Sequence, residues 1–218
     1  MKRRDFGQYC GLARALELVG ERWALLIVRD LTIRPRRYTD LQAGLPGIPT
    51  NVLATRLKEL EQAGVVERRV APAPQRGVVY ALTPVGQELE PALLALGRWG
   101  AAQLGDPQPG DHVSAEGVTL NLRAAFRPAE AEGVTASFEI HARDIVLHAV
   151  LTDGKLESGV GPAPGKPDLT ITAQIADDEL ASYRAIIRAA KCGLVDLAGR
   201  RELLETFLKV FTPARPAS

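Results

Sequence analysis

Apolar positions recur every three or four residues through roughly the first hundred positions, then mostly every second residue, so a helical half precedes a strand-rich half. In the first half, Ala15, Leu16, Leu18 and Val19 close a first helix at Gly20, which suits the left-handed residue just past a helix end. Trp23, Leu26, Ile27 and Leu31 share one face of a second helix. Thr39 as N-cap, with Asp40 in the first turn, opens a short third helix that runs to Gly44. Residues 49–63 repeat Leu53, Leu57 and Leu60 on one face and stop at Gly64. Two β-rich runs, 65–70 and 78–82, flank a Pro-rich turn or loop at 71–77. Thr83 and Pro84 then cap a last helix carrying Leu89, Leu93, Leu96 and Trp99.

In the second half, residues 118–126, 134–141, 145–151 and 169–175 alternate apolar and polar positions as half-buried strands do. Thr152-Asp153-Gly154-Lys155 is a hairpin turn between strands. Ala176-Asp177-Asp178 supplies N-cap chemistry for a helix carrying Leu180, Tyr183, Ile186 and Ile187, and a final helix from Arg201 gathers Leu204, Phe207, Leu208 and Phe211. The predicted class is α+β: a mostly helical N-terminal domain with a β-hairpin, then an antiparallel sheet with helices. Residues 105–111 hold two prolines, two glycines and no apolar side chain, which makes a linker. The expected division is therefore 1–105, linker 106–111 and 112–218, in keeping with a length of 218 residues.

Composition narrows the class. Hydrophobic residues are 46% and charged residues 24%, the balance of an ordinary globular protein and not of a disordered one. The longest apolar runs, such as 23–28, fall far short of the roughly 18–20 residues a bilayer span requires. The charged N-terminus has no apolar stretch behind it, so no signal peptide is expected. Two cysteines, Cys10 and Cys192, exclude a disulfide-stapled secreted fold, and a cytoplasmic protein is expected. The net charge of +1 conceals an asymmetry: residues 1–105 carry fifteen Lys/Arg against ten Asp/Glu, and the remainder twelve against sixteen. A basic half joined to an acidic one points to a polyanion as partner of the first.

Two short helices, a turn, a longer helix and a hairpin with basic residues predict a winged helix-turn-helix. Within 49–63, Asn51, Ala54, Thr55 and Lys58 point away from the leucine face, and Thr50 opens the same segment. Those types suit a major groove: Asn reads adenine, Thr reads base edges or the thymine methyl, Lys neutralises phosphate, and Ala permits close approach. Arg68, Arg69 and Arg76 furnish the wing, with Arg76 placed to enter the neighbouring minor groove. The plain alternative is a solvated polar helix face beside a solvated basic loop. No catalytic residues, cofactor or metal site are expected. Gly-x-Ser-x-Gly, Cys-x-x-Cys and His-x-x-x-His are missing, and the segment 161–166 is followed by Pro167 where a phosphate loop needs Ser or Thr.

Several blocks in order resemble the HxlR family of bacterial transcriptional regulators: Cys10, Ala15 to Ile27 (ALELVGERWALLI), Arg37-Tyr38-Thr39-Asp40-Leu41, Leu53 to Val66 (LATRLKELEQAGVV) and Tyr80 to Gly86 (YALTPVG). The resemblance spans about the first hundred residues. It implies a homodimer whose terminal helices pair and whose two recognition helices address a double-stranded, pseudo-palindromic operator, with repression the commoner mode. The Pro-Ala-Pro wing is stiffer and less charged than is usual there. Cys10 stands where several members carry a redox-sensing cysteine; a helix N-terminus and the nearby Arg14 both favour thiolate, and the alternative is a small hydrophobe under the first helix. Trp23 and Trp99 are assigned to core and dimer interface.

The second half resembles the sterol carrier protein type of lipid-binding domain, in Ala136 to Ile140 (ASFEI), the hairpin of 145–159, Pro167 to Ala173 (PDLTITA), and Gly199 before the last helix. That resemblance implies a sheet with helices over one face and an apolar tunnel between, walled by Phe138, Ile140, Leu147, Leu169, Ile171, Tyr183, Ile187, Phe207 and Phe211, with an apolar small-molecule effector. The alternatives are a closed core, with the domain serving only dimerisation or protein contact, and redox sensing through Cys10.

Overall fold

The computed structural model describes residues 5–71, 76–106, 108 and 110–212. By packing, the chain forms two compact units, Met1–Leu93 and Leu94–Ser218.

In the first unit, α1 (Gly11–Val19) ends at Gly20 as the sequence suggests, but Gly20 keeps a right-handed backbone, φ −77°, and its N–H still bonds the Leu16 carbonyl. Helix α2 (Ala24–Ile33) buries Ala24, Ile27, Val28 and Leu31 and turns Leu26 outward. Trp23 is not on its face; it is the N-cap, with a left-handed backbone at φ 79°. The apolar run 23–28 is continuous, so periodicity alone could not decide which members face inward. Helix α3 (Tyr38–Gly44) starts earlier than Thr39 would have it, because the Asp40 carboxylate accepts the Arg37 N–H at 3.2 Å. Helix α4 (Thr50–Gln62) follows, its Leu53, Leu57 and Leu60 buried against Ile27, Val28, Leu31 and Leu41.

Strands β1 (Val66–Val70) and β2 (Val78–Leu82) pair antiparallel, Val66 opposite Leu82 and Val70 opposite Val78. Residues 72–75 of the expected loop, like Pro107 and Pro109 of the expected linker, lie outside the described residues. Arg36 adds a backbone bridge to Tyr80, so the segment before α3 lies alongside the hairpin. The single helix expected after Thr83 is two: α5 (Pro84–Gln87) and α6 (Glu90–Gln103). Thr83 Oγ1 accepts the Gly86 N–H at 3.0 Å, and a Cβ on Gly86 would run into the Val65 carbonyl. That approach holds α5 against the β1 entry, and the chain turns at Glu88 and Leu89 before helix resumes.

The second unit opens with α7 (Ala115–Ala125), where alternation had predicted a strand. Glu116, Val118, Thr119, Leu120, Leu122, Ala124 and Ala125 are all buried, so the helix is covered on more than one side and its pattern loses the helical period. A 3₁₀ turn at Pro128–Ala131 leads to β3 (Thr135–Ala142), β4 (Ile145–Thr152), β5 (Lys155–Val160) and β6 (Leu169–Ala173). The β4–β5 hairpin turns on Asp153 and Gly154, at φ 45° and 74°, the two positive values a type I′ turn requires. Helix α8 (Tyr183–Cys192) is capped by Ser182, not by the 176–178 segment, so Leu180 lies outside it. Strand β7 (Val195–Gly199), which sequence patterning missed, and α9 (Leu203–Phe211) complete the unit. The sheet order is β5-β4-β3-β6-β7. It is mixed and not purely antiparallel: β3 and β6 run parallel, because residues 161–168 carry the chain back past the hairpins before β6 begins.

Candidate nucleic-acid interface

The leucine face of α4 fixes its rotation, and that alone leaves Thr50, Asn51, Ala54, Thr55 and Lys58 exposed together. Two contacts hold the start of the helix. Tyr38 Oη donates to the Thr50 carbonyl at 2.7 Å, and Gln42 Nε2 donates to the Ile48 carbonyl at 2.8 Å, so α3 sets where α4 begins. The Arg56 guanidinium reaches back to Glu21 at 2.9 Å and also pairs with Glu59, tying α4 to the α1–α2 connection. Thr55 Oγ1 donates to the Asn51 carbonyl at 2.8 Å. A hydroxyl satisfied within its own helix offers an outside partner its methyl group and a lone pair.

The three wing arginines are not equivalent. Arg68 makes a two-pronged pair with Glu61 on α4, Nε to Oε1 at 2.7 Å and Nη2 to Oε2 at 3.2 Å. Arg69 is hydrogen-bonded through Nε to Glu67 at 2.6 Å. Arg76 is exposed, and its guanidinium has no acidic partner among the described residues. Sequence reasoning missed Arg37, exposed at the N-cap of α3, whose guanidinium donates to the Arg76 carbonyl at 2.7 Å. The available signal was the run Arg34-Pro35-Arg36-Arg37, a basic cluster directly before a helix start.

Cys10 is the exposed N-cap of α1, and the backbone N–H groups of Ala13 and then Leu12 hold its thiol below the ordinary range. Arg14 contributes less than its position suggested, because it pairs with Glu17 at 2.9 Å. Cys192, near the end of α8, is also exposed.

The nine apolar residues singled out in the second half are all buried and belong to one core layer between sheet and helices. Phe138 and Phe207 have ring centroids 5.5 Å apart, and Phe207 and Phe211 5.0 Å. Tyr183 Oη donates to the Phe211 carbonyl, joining α8 to the end of α9, and burial pushes its phenol well above the usual range. A surface cleft of about 470 Å³ includes His112, Arg143 and Leu180 and none of the nine. Among the described residues no helix is long and apolar enough to cross a membrane, and no group of three or more His, Cys, Asp or Glu is placed to hold a metal ion.

Comparison with known proteins covers the unit that carries this surface. The HxlR-like helix-turn-helix family profile matches residues 18–108. The uncharacterized HTH-type transcriptional regulator sll1512 of Synechocystis sp. is 35% identical over 97 residues, 44% of this chain and 72% of that protein. The uncharacterized regulator YvaP of Bacillus subtilis is 38% identical over 86 residues, 39% of this chain and 80% of that protein. The HTH-type transcriptional regulator YodB of Bacillus subtilis is 39% identical over 102 residues, 47% of this chain and 88% of that protein. The chain belongs to the HxlR-like helix-turn-helix family of transcriptional regulators.

Proposed function

We propose that the chain is a dimeric, sequence-specific DNA-binding repressor that lays α4 in the major groove of a double-stranded operator. The observation that carries this is the exposed row Thr50, Asn51, Ala54, Thr55 and Lys58, held in one orientation by a fully buried leucine face and by the Tyr38–Thr50 bond. Asn51 and Thr55 read base edges, Ala54 lets the helix approach, and Lys58 meets phosphate. Of the wing residues, Arg76 enters the adjacent minor groove, while Arg68 and Arg69 support it with charges already offset by Glu61 and Glu67. Selection of bound duplexes from a random pool tests this. A two-fold symmetric consensus is expected, and no enrichment over many rounds would overturn it.

For the second unit we propose a sterol-carrier type of domain that takes an apolar effector. Nine apolar side chains from β3, β4, β6, α8 and α9 converge on one layer, which supports the reading. Phe138, Phe207 and Phe211 pack ring against ring in that layer, so a ligand reaching them would displace packed rings, and its binding should be slow and coupled to a shift of α9. An apolar fluorescent probe and a lipid-extraction mass spectrum of the purified protein are the direct tests. Absence of both uptake and co-purified lipid would leave the unit as an interaction module.

A further inference from the structure

We propose that Arg37 is a positioning residue for the wing: its guanidinium, anchored at the start of α3, holds the Arg76 carbonyl and thereby fixes where the Arg76 side chain is presented. The proposal rests on the reading of Arg76 as a DNA contact.

The hairpin needs such a restraint. Its base is fixed: Val66, Val79, Ala81 and Leu82 are buried, and Arg36 and Tyr80 exchange backbone bonds at 3.0 and 2.7 Å. At the last ladder pair the packing thins, since Val70 and Val78 are 82% and 54% exposed, although Ala71 beside them is buried. A two-stranded ribbon is marginal in water on its own, so its exposed end depends on what holds it. Arg76 lies four residues from Tyr80, about 13 Å at strand spacing, and a small pivot at the bridge is multiplied over that distance. Past the ladder, the bond from Ala71 N–H to the Gly77 carbonyl (2.8 Å) joins the two arms only to each other. The bond from Arg37 Nη2 to the Arg76 carbonyl, at 2.7 Å and across 39 residues of sequence, ties the distal arm to the helix-turn-helix. Because the acceptor is a backbone carbonyl, the restraint acts on the chain at Arg76 and leaves its guanidinium available. A planar guanidinium with five donors suits the task, since a bond to a neutral carbonyl uses a donor and leaves the charge of Arg37 in place.

The alternative is that Arg37 is itself a phosphate ligand and its bond to the carbonyl is incidental. The experiment uses the full chain and four forms: wild type, Arg37→Met, Arg76→Ala and the double variant. Met keeps an unbranched stem for packing, and thermal unfolding verifies that every form is folded. Without DNA, the ¹⁵N order parameters of the Arg76 and Gly77 amides should be near 0.8 in wild type and fall below about 0.6 in Arg37→Met. Unchanged values would overturn the proposal. With a mixed-sequence duplex, Arg37→Met should weaken binding by about the same factor as Arg76→Ala, and the double variant should lose less than about twofold more than either. Losses that multiply, with each variant removing its own unit of salt slope, would make Arg37 a phosphate ligand and overturn the positioning role. If wild type binds no duplex at low salt, the DNA reading fails, and the amide measurement still decides whether Arg37 orders the wing.

Discussion

The Tyr38 hydroxyl donates to the carbonyl of Thr50 at 2.7 Å, so the first residue of α4 hangs from the first residue of α3. The bond crosses the turn of the helix-turn-helix and fixes the angle at which α4 leaves it. Tyr38→Phe should cost only about 0.5–1 kcal/mol in denaturant unfolding, the net worth of one such hydrogen bond. Its effect on DNA affinity should exceed its effect on stability, because α4 loses orientation more than it loses helix. Equal losses in the two measurements would show that the bond does no orienting.

Thr55 and Arg76 should separate cleanly. Thr55→Ala is expected to cost about 1–3 kcal/mol at particular base pairs and to relax preference there. Arg76→Ala should weaken binding to all sequences alike and lower the salt slope by about one unit. Titrations against single-base operator variants at several salt concentrations check both. A reversed pattern would exchange the roles of helix and wing.

The stripe Leu96 and Trp99 on α6, 51% and 69% exposed, is apolar surface that one copy of the chain leaves uncovered. Tyr9, Leu12 and Leu16 at α1 are exposed in the same way. A two-fold dimer burying these helices is expected, with half-sites about one helical turn apart. Light scattering at micromolar concentration should give twice the chain mass for wild type and the chain mass for Trp99→Glu. A monomeric wild type would refute the dimer.

Asp168 locks β6 to β3. Its carboxylate accepts the Ser137 N–H at 2.8 Å and the Ser137 hydroxyl at 2.9 Å, and these bonds, the backbone one first, hold it below the usual aspartate range. A carboxyl lowered in the folded state adds stability that is complete above its unfolded value, about 3.9, and disappears as pH falls through the lower folded value. Asp168→Asn should therefore flatten the acid limb of the second unit's stability curve. At neutral pH it should cost about 1 kcal/mol, a low figure because the side chain is more than a third exposed. Unfolding followed from pH 7 to pH 2 tests both.

Cys10 should alkylate faster than an ordinary exposed thiol at neutral pH. Its titration is shifted down by the Ala13 and Leu12 amides, so thiolate is present at a lower pH than in the unfolded chain. The iodoacetamide rate profile of Cys192→Ser should have its midpoint below that of the same protein in urea. Coincident midpoints would remove the basis for a redox-responsive Cys10.

The helical half was legible because one burial face governs it: Leu53, Leu57 and Leu60 fix α4, and its exposed row follows by rotation. The basic run 34–37 signals Arg37 as a charge but not what it holds, since its partner is a backbone carbonyl on the hairpin, and no residue pattern encodes a carbonyl. Helix α7 was misread because burial on several sides erased its period, leaving an accidental alternation through Val118, Leu120 and Leu122. Strand β7 went unseen for a different reason. It is a short edge strand with Asp196, Ala198 and Gly199 exposed, so it carries little apolar signal of its own. The nine residues expected to wall a tunnel share one buried core, and residue types do not distinguish a wall from a filling.

The parallel pairing of β3 with β6 sets an order of events during synthesis. Hairpin partners β4 and β5 leave the ribosome directly after β3, whereas its other neighbour arrives only after residues 161–168 have followed, and β7 and α9 come later still. Contacts so distant along the chain close slowly. The helix-turn-helix, whose partners lie within the first 93 residues, can be finished while the centre of the sheet still waits. Through that interval β3 presents an open edge to any other extended chain nearby. The first unit can thus be folded while β3 still lies open to its neighbours, and the arrival of β6 is the step that closes that edge.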